Sequence, residues 1–528
     1  MPTCPRVLAC DEHTRRLERC PPKGADGRTF DEITKAYGAD CGRQPAWDAG
    51  RLVRILFLAH NLGKTRHFEG VLQELTARKH SVVITAAHKR NKPLKMAGVF
   101  RDNPRIDVVT NPVRRIDAWE PFVRPLRQAR DYVRFLDPSY AHADKLAARA
   151  RTYAPPGWPE RLAPGGSLAG RRLLVKRGLE LAESLVPSER YYELFIKSHA
   201  PDVILITPLI DFGSYQTDYV KSAHRLGIPI AFLAFSWDNL TNRGLVRVSP
   251  DRVIVWNEHQ KQEAIRYHDV SAASIVVTGA PRFDDFFAMR PSATREEFCR
   301  RSGLDPSRPF ILYLCSSPFV APNEVGFVRQ WIAAIRQDPA LAACGILVRP
   351  HPANAEPWET VELTSVGNAA VWKEPPKIQA DPGLYDSLHH CAAVTGLNTS
   401  AMIEAGILGK SVHTIETTEF AGGQDQTLHF HYLLARNGGL VEVAADLREH
   451  CRQLADALSS VEHGQARSRR FVESFVRPRG LERAVAPIVA DEIERVAAIR
   501  KSPLRSPFWH APARRLLLSV LERRGASS

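Results

Sequence analysis

The sequence predicts an α/β protein built from two Rossmann-like, doubly wound domains facing across a cleft. Short apolar, β-branched runs alternate with segments of helical period, as βαβ units require. The alternation occurs twice, over 51–285 and over 286–476, with a charged linker at 292–308 ahead of the second set of strands. A chain of 528 residues also exceeds what one hydrophobic core usually serves.

RLVRILFLAH (51–60) reads as a buried parallel strand, closed by Asn61-Leu62-Gly63. Phe68, Val71, Leu72 and Leu75 follow at helical spacing, and SVVITAA (81–87) completes a right-handed βαβ unit. Residues 1–50 lie outside the alternation and are expected to form a weakly ordered extension. Between about 113 and 197 the pattern lapses into an Arg-rich helical insertion, broken by Pro-Pro-Gly and Pro-Gly-Gly turns. Strand runs return in PDVILIT (201–207), IPIAFLAF (228–235), DRVIVWN (251–257) and SIVVTGAP (274–281). The second set is FILYLCSS (310–317), GILVRPHP (345–352), AAVTG (392–396) and SVHTIET (411–417), with a helix at 324–335. After Gly439 the chain is expected to return to helices, ending in a basic helical tail over 477–528.

Composition limits the partners. Lys+Arg of 72 against Asp+Glu of 58 gives +14, a bias toward anions. Nucleic acid is not expected, because no recognition motif accompanies the charge. Neither domain carries GxGxxG, which argues against a dinucleotide dehydrogenase. No run approaches the roughly 18–20 apolar residues a spanning helix needs. The nine cysteines show neither zinc-ligand spacing nor a disulfide framework, and no secretory signal pattern is read. A cytoplasmic protein, soluble or peripheral on the inner face of a membrane, is expected. Two basic segments bear on that choice. Arg161, Arg171, Arg172, Lys176 and Arg177 interleave with Leu168, Leu173, Leu174 and Val175, and the tail mixes Phe508, Trp509 and Leu516 with arginines. Each suits an anionic membrane surface or packing against its own domain.

Chemistry concentrates at strand ends. A strand closing on Thr395-Gly396 and a helix opening at Asn398-Thr399-Ser400 present backbone N–H groups to a phosphate, and Glu404, one turn inside, can accept from a ribose hydroxyl. Ser316 and Ser317 are supporting phosphate donors. Arg349 and His351 stand in a turn fixed by Pro350 and Pro352, where the imidazole can stabilise charge on a leaving diphosphate. Asp238, at the carboxyl end of a first-domain strand, is the candidate base; the alternative is an Asp capping its own turn. His60, His67, Glu69 and Asp211 lie at other strand or helix mouths as reserves. His429 and His431 form HxH without a third ligand and read as packing.

FSWDNLTNRG (235–244), GAPRFDD (279–285), RPHP (349–352) and NTSAMIEAG (398–406), in that order, resemble motifs of the GT-B fold glycosyltransferases. The nearest branch is that of the CDP-glycerol glycerophosphotransferases and bacterial surface-polysaccharide transferases, and the resemblance spans about 53–477. It implies an acceptor domain followed by a nucleotide-donor domain, with a nucleotide-diphosphate sugar as substrate and neither cofactor nor metal required. The implied activity is sugar transfer to a glycan or lipid-linked acceptor in envelope polysaccharide synthesis. Where the branch has a catalytic Trp-His-Gly loop, this chain has Trp237-Asp238-Asn239. By the same resemblance Asp425 and Gln426 in GGQDQTLHFHYLL (422–434) are donor-sugar contacts. Retaining members often carry a Glu eight positions before the ribose-binding one; here that position is Gly396, which implies inversion. CDP-alditol phosphotransfer, a UDP-sugar 2-epimerase-like isomerase and a catalytically silent nucleotide-binding scaffold are the competing expectations.

Overall fold

The computed structural model describes residues 52–86, 103–375 and 381–525. The expected 1–50 extension lies outside the described residues. The first lobe is a seven-stranded parallel sheet of β1 (Arg54–Ala59), β2 (Ser81–Ala86), β3 (Ile106–Thr110), β4 (Val203–Thr207), β5 (Ile230–Leu233), β6 (Arg252–Val255) and β7 (Ile275–Val277), in the order β3-β2-β1-β4-β5-β6-β7. The second comprises β8 (Phe310–Leu314), β9 (Gly345–Arg349), β10 (Ala369–Val371), β11 (Ala393–Gly396), β12 (Val412–Ile415) and β13 (Val441–Ala444), in the order β10-β9-β8-β11-β12-β13. Both sheets reverse winding beside their first strand, between β1 and β4 and between β8 and β11. At such switch points the loops at the carboxyl edge part and leave a crevice. Central strands are buried along their length, β4 and β8 at every residue, because helices cover both faces; this is why they read as unbroken apolar runs.

Three strands depart from the sequence expectation. β13 lies where helix was expected, β3 and β10 fall in stretches to which the sequence assigned no element, and each of the three is a sheet edge. An edge is solvated on one side, and the mixed burial of Ile106–Thr110 shows how that breaks the apolar run that marks an interior strand. The chain after Gly439 therefore makes one more strand before its helices.

The stretch between β3 and β4 is helical, with helices Glu120–Arg134, Asp144–Tyr153, Arg172–Leu185 and Arg190–His199 among its elements. Several of its arginines are neutralised internally. Arg127, fully buried, bonds Asp218 at 2.7 Å and Glu183 at 3.2 Å, and Arg115 reaches Asp218 at 2.6 Å. A buried arginine requires such partners, and here they clamp two insertion helices to Gln216–Leu226. Leu173 and Leu174 remain exposed at 60% and 67%.

The chain crosses between lobes twice, side by side. At the first crossing Ala280 N–H donates to Val476 O, and Asp284 accepts from Val485 N–H, Ala486 N–H and Arg477. Beyond the second crossing, helix Val485–Ala497 joins the core of the first lobe, where Val485, Val489, Ile493 and Val496 are packed with Phe57, Leu72 and Leu233. The final helix, His510–Gly525, sets Leu517 and Leu518 against Trp119, Val123 and Val186, while Phe508 stays 92% exposed. Among the described residues no helix is long and apolar enough to cross a membrane.

Candidate functional site

The carboxyl ends of β8, β9, β10 and β11 surround a pocket of about 330 Å³ in the second lobe. Leu314, Arg349, His351, Trp358, Trp372 and Thr399 line it. The volume falls at the lower end of the range usual for small-molecule sites. Arg349 is anchored rather than free: it bonds Asp381 at 2.5 Å and Ser387 Oγ at 3.3 Å, and its guanidinium lies 4.9 Å above the Trp372 ring. Burial pushes the His351 imidazole below its usual range, so it is neutral near pH 7. Its Nδ1 accepts the Ala353 N–H at 3.0 Å, which assigns the ring hydrogen to Nε2 as a donor. Asn354 supports this turn by donating to Ser316 O and Ala321 O.

The 398–404 segment contributes backbone more than side chain. Thr399, Ser400 and Ala401 have N–H groups with no acceptor among the described residues, as expected where a helix, Ala401–Ile407, begins. Asn398 instead commits its amide to Gly423 O at 2.7 Å and Thr427 Oγ1 at 3.2 Å, joining two loops. Ser316 is fully buried, its N–H on Glu324 at 2.6 Å and its Oγ receiving the Asn398 N–H. Both residues shape the site from behind, whereas the half-buried Ser317 has a hydroxyl without a partner among the described residues. Glu404 is half-buried; burial raises its carboxyl above the usual range while Arg282 and Arg349 pull against that shift. Gly396 admits no side chain at all, since a Cβ there would meet Leu314 O at 2.4 Å.

The first lobe answers with cations. Lys64, Arg66 and His67 follow β1 directly, Arg243 follows the short helix Asn239–Asn242, and Arg282 begins the first inter-lobe crossing. Burial and Arg243 lower the Lys64 ammonium to about 8. His67, buried against Phe235 and crowded by Arg282, Arg66 and Lys64, is driven down to about 2 and stays neutral. Arg243 is paired with Asp211 at 2.6 Å, with His60 on that carboxylate's other side at 3.7 Å. Lys64, Arg66 and Arg282 form no ion pair with any described residue. Burial lowers the Arg282 guanidinium, and the charges of Glu404 in the second lobe and Asp238 in the first oppose that shift.

Asp238 makes no capping bond to the backbone of the turn it opens. Its carboxylate accepts from Asn242 Nδ2 at 2.6 Å. Burial opposes its ionisation, but His429, Arg243 and hydrogen bonds from Ser236 and Asn242 outweigh it and bring the group to about 2. His429 comes from the second lobe. Its Nδ1 is 3.1 Å from Thr241 Oγ1, its ring meets Trp237 edge-on at 4.7 Å, and burial lowers it to about 4. Asp425 is exposed, near Arg436 at 3.8 Å, and Gln426 accepts the Lys145 N–H at 3.1 Å as a link between lobes. Among the described residues no group of three His, Cys, Asp or Glu could hold a metal ion.

Sequence reasoning singled out Asp238, His351, Arg349 and Glu404; Arg349 and His351 line the second-lobe pocket, Glu404 lies in the helix that opens beside it, and Asp238 stands in the first lobe. The same reasoning passed over Lys64, Arg66, Arg243, Arg282 and the position of His429. Two signals were available: Gly63-Lys64-Thr65-Arg66-His67 stands at the carboxyl end of the first strand, and Arg243 and Arg282 sit inside motif segments valued for other residues.

No protein-family model and no curated protein matches the chain. Among solved structures it is similar to UDP-GlcNAc 2-epimerase from Neisseria meningitidis bound to UDP-GlcNAc, at 11% identity and a TM-score of 0.49 over 84% of this chain and 100% of that one. A glycosyltransferase from Rickettsia africae gives 10% identity and 0.47 over 84% and 99%. The calicheamicin glycosyltransferase CalG4 gives 14% and 0.41 over 84% and 98%. Function is therefore read from the cleft itself: two doubly wound lobes, a pocket of about 330 Å³ in one and, in the other, cations that make no ion pair with a described residue.

Proposed function

We infer that the chain is an inverting glycosyltransferase that takes a sugar from a nucleotide-diphosphate donor. The observation that carries this is the 330 Å³ pocket lined by Arg349 and His351, together with Lys64, Arg66 and Arg282, which make no ion pair with a described residue, Arg282 being near enough to feel the charges of Glu404 and Asp238. In this reading the base lies in the pocket against Trp372, and Glu404 accepts from the ribose. The diphosphate is met by Arg282, Lys64 and Arg66 together with the free N–H groups of Thr399, Ser400 and Ala401. Charge-assisted bonds of this kind hold a dianion without a metal, so a chelator leaves turnover intact. His351 donates from Nε2 toward the leaving phosphate.

Asp238 takes the proton of the acceptor hydroxyl while that oxygen attacks the anomeric carbon and the diphosphate departs. The acceptor is a glycan or lipid-linked glycan held by the first lobe, in envelope polysaccharide synthesis. The steric exclusion of a side chain at Gly396 supports single displacement over a second-carboxylate mechanism.

Thermal unfolding with UDP, GDP, CDP and CMP tests the site. The matching nucleotide at about 100 Kd stabilises by about 2.7 kcal/mol, and an Arg282→Ala variant loses about half of that gain or more. No stabilisation by any of the four overturns the reading. Product analysis then separates reaction classes: transfer requires an acceptor, epimerisation consumes the donor alone, and CDP-alditol phosphotransfer releases CMP.

A further inference from the structure

The end of the chain closes an open cavity of about 840 Å³ on the first lobe, between helix Arg190–His199, the last turn of helix Gln216–Leu226, the 505–506 segment and helix His510–Gly525. Lys197 and Arg225 stand in the last turns of helices that lead into β4 and β5, so this part of the cavity lies toward the amino edge of the sheet, opposite the cleft. Arg190, Lys197, Arg225, Arg505 and Arg514 line it against one carboxylate, Glu193, which accepts from Ser188 Oγ at 2.6 Å.

These charges are placed without being neutralised. Lys197, Arg225, Arg505 and Arg514 form no ion pair with any described residue. Arg225 gives Nη1 to Leu504 O at 3.4 Å, and Arg514 gives Nε to Leu185 O at 2.7 Å and Nη2 to Ser506 Oγ at 3.1 Å. Burial and the nearby Arg225 both lower the Arg514 guanidinium. Lys197, Arg225 and Arg505 are exposed, in contrast to the paired arginines inside the insertion. The same stretch of chain holds apolar side chains in solvent: Leu504 is 63% exposed, Phe508 92%, Trp509 43% and Leu516 68%. Single exposed apolar residues are ordinary. Four within 504–516, interleaved with Arg505, Arg514 and Arg515, form a patch of the kind that marks an interaction surface. Its support is fixed, because Leu504 N–H donates to His224 O at 2.8 Å and Leu517 and Leu518 pack inward.

We propose that this face docks on an anionic membrane surface, with lipid phosphates at the basic cavity and Leu504 and Phe508 dipping into the boundary between headgroups and acyl chains. Basic residues draw a protein to anionic lipid, and exposed apolar side chains add the hydrophobic part of the binding. A neutral bilayer leaves the cations without counter-charge, and a soluble anion leaves Phe508 in water. The proposal stands whether or not the cleft transfers a sugar.

Co-sedimentation of the full chain with vesicles tests it. Vesicles of phosphatidylcholine mixed with phosphatidylglycerol bind the protein at least tenfold more tightly than phosphatidylcholine alone, and added salt weakens the binding. The double variant Lys197→Gln, Arg505→Gln and the single variant Phe508→Ser each weaken binding to the anionic vesicles at least fivefold, while both melt at the parent's temperature. The proposal falls if neutral vesicles bind as well as anionic ones, or if either variant sediments like the parent. It also falls if a single-stranded oligonucleotide, at equal phosphate concentration, binds the chain more tightly than the anionic vesicles do, because the surface then belongs to nucleic acid. Nucleotide binding in the cleft reports separately on the donor site.

Discussion

Arg282 is a cation whose charge is felt in both lobes. It leaves the first lobe at the crossing, carries no ion pair with a described residue, and feels the charges of both Glu404 and Asp238. A charge-assisted contact contributes about 1.5–3 kcal/mol, so Arg282→Ala is expected to weaken the matching nucleotide diphosphate by roughly 10- to 100-fold in a titration, with folding unchanged. Asp238 calls for a different measurement. Removing a general base typically costs 10²–10⁴-fold in rate, so Asp238→Asn should lower kcat by about that factor and leave donor affinity nearly intact. Because the carboxyl titrates at about 2, it is ionised throughout the neutral range, and the parent enzyme should show no acid limb from this group above about pH 3. An acid limb that disappears in Asp238→Asn but lies near pH 6 would contradict the assignment. The motifs made Asp238, Arg349, His351 and Glu404 legible in sequence, because each stands at a strand end with turn residues beside it. Arg66 and Arg282 were not legible as partners: 216 positions separate them in the chain, and only folding of the first lobe brings them to the same cleft.

At the scale of elements, helix Glu258–His268 contributes contacts to the second lobe. His259 stacks on Tyr432 at 4.4 Å, and Glu263, 1% exposed, faces the same tyrosine. Burial raises the Glu263 carboxyl to about 8, far above its ordinary 4.5. The folded protein then holds a proton that the unfolded chain releases above pH 4.5. Stability therefore falls as pH climbs from about 4.5 to about 8 and levels off beyond. Glu263→Gln removes that dependence. Its melting temperature should match or trail the parent near pH 4.5 and exceed it at pH 8, by an amount equivalent to a few kcal/mol at most. A gap that fails to widen with pH would mean the carboxyl is not the source. The elements themselves were readable where burial is two-sided, as in β1, β4 and β8, since continuous apolar runs then announce a strand. Three of the four edge strands were not read, since β3, β10 and β13 are part-solvated and lack a long apolar run, whereas edge strand β7 kept one and was read.

For the molecule as a whole, the two sheets share one winding, and that repetition placed both crevices on facing carboxyl edges. The double layout was legible from the two sets of strand runs alone. What sequence left open was the end of the chain, which read equally as a membrane-surface helix or as packing. Helix Val485–Ala497 lies in the core of the first lobe, with Val489, Ile493 and Val496 each at most 1% exposed. A chain ending at residue 483 should thus lose first-lobe stability: dye binding to exposed apolar surface rises and melting becomes broad. Retention of the full-length melting profile would show that the helix is dispensable.

That closing helix also sets a timetable for biosynthesis. The strands of the first lobe leave the ribosome early, yet the apolar face over Phe57 and Leu72 stays uncovered until more than two hundred further residues have been translated. The second lobe emerges entire in that interval and can collapse first. The amino-terminal half is thus the last part of the protein to mature, and the one a nascent-chain chaperone would have to shelter.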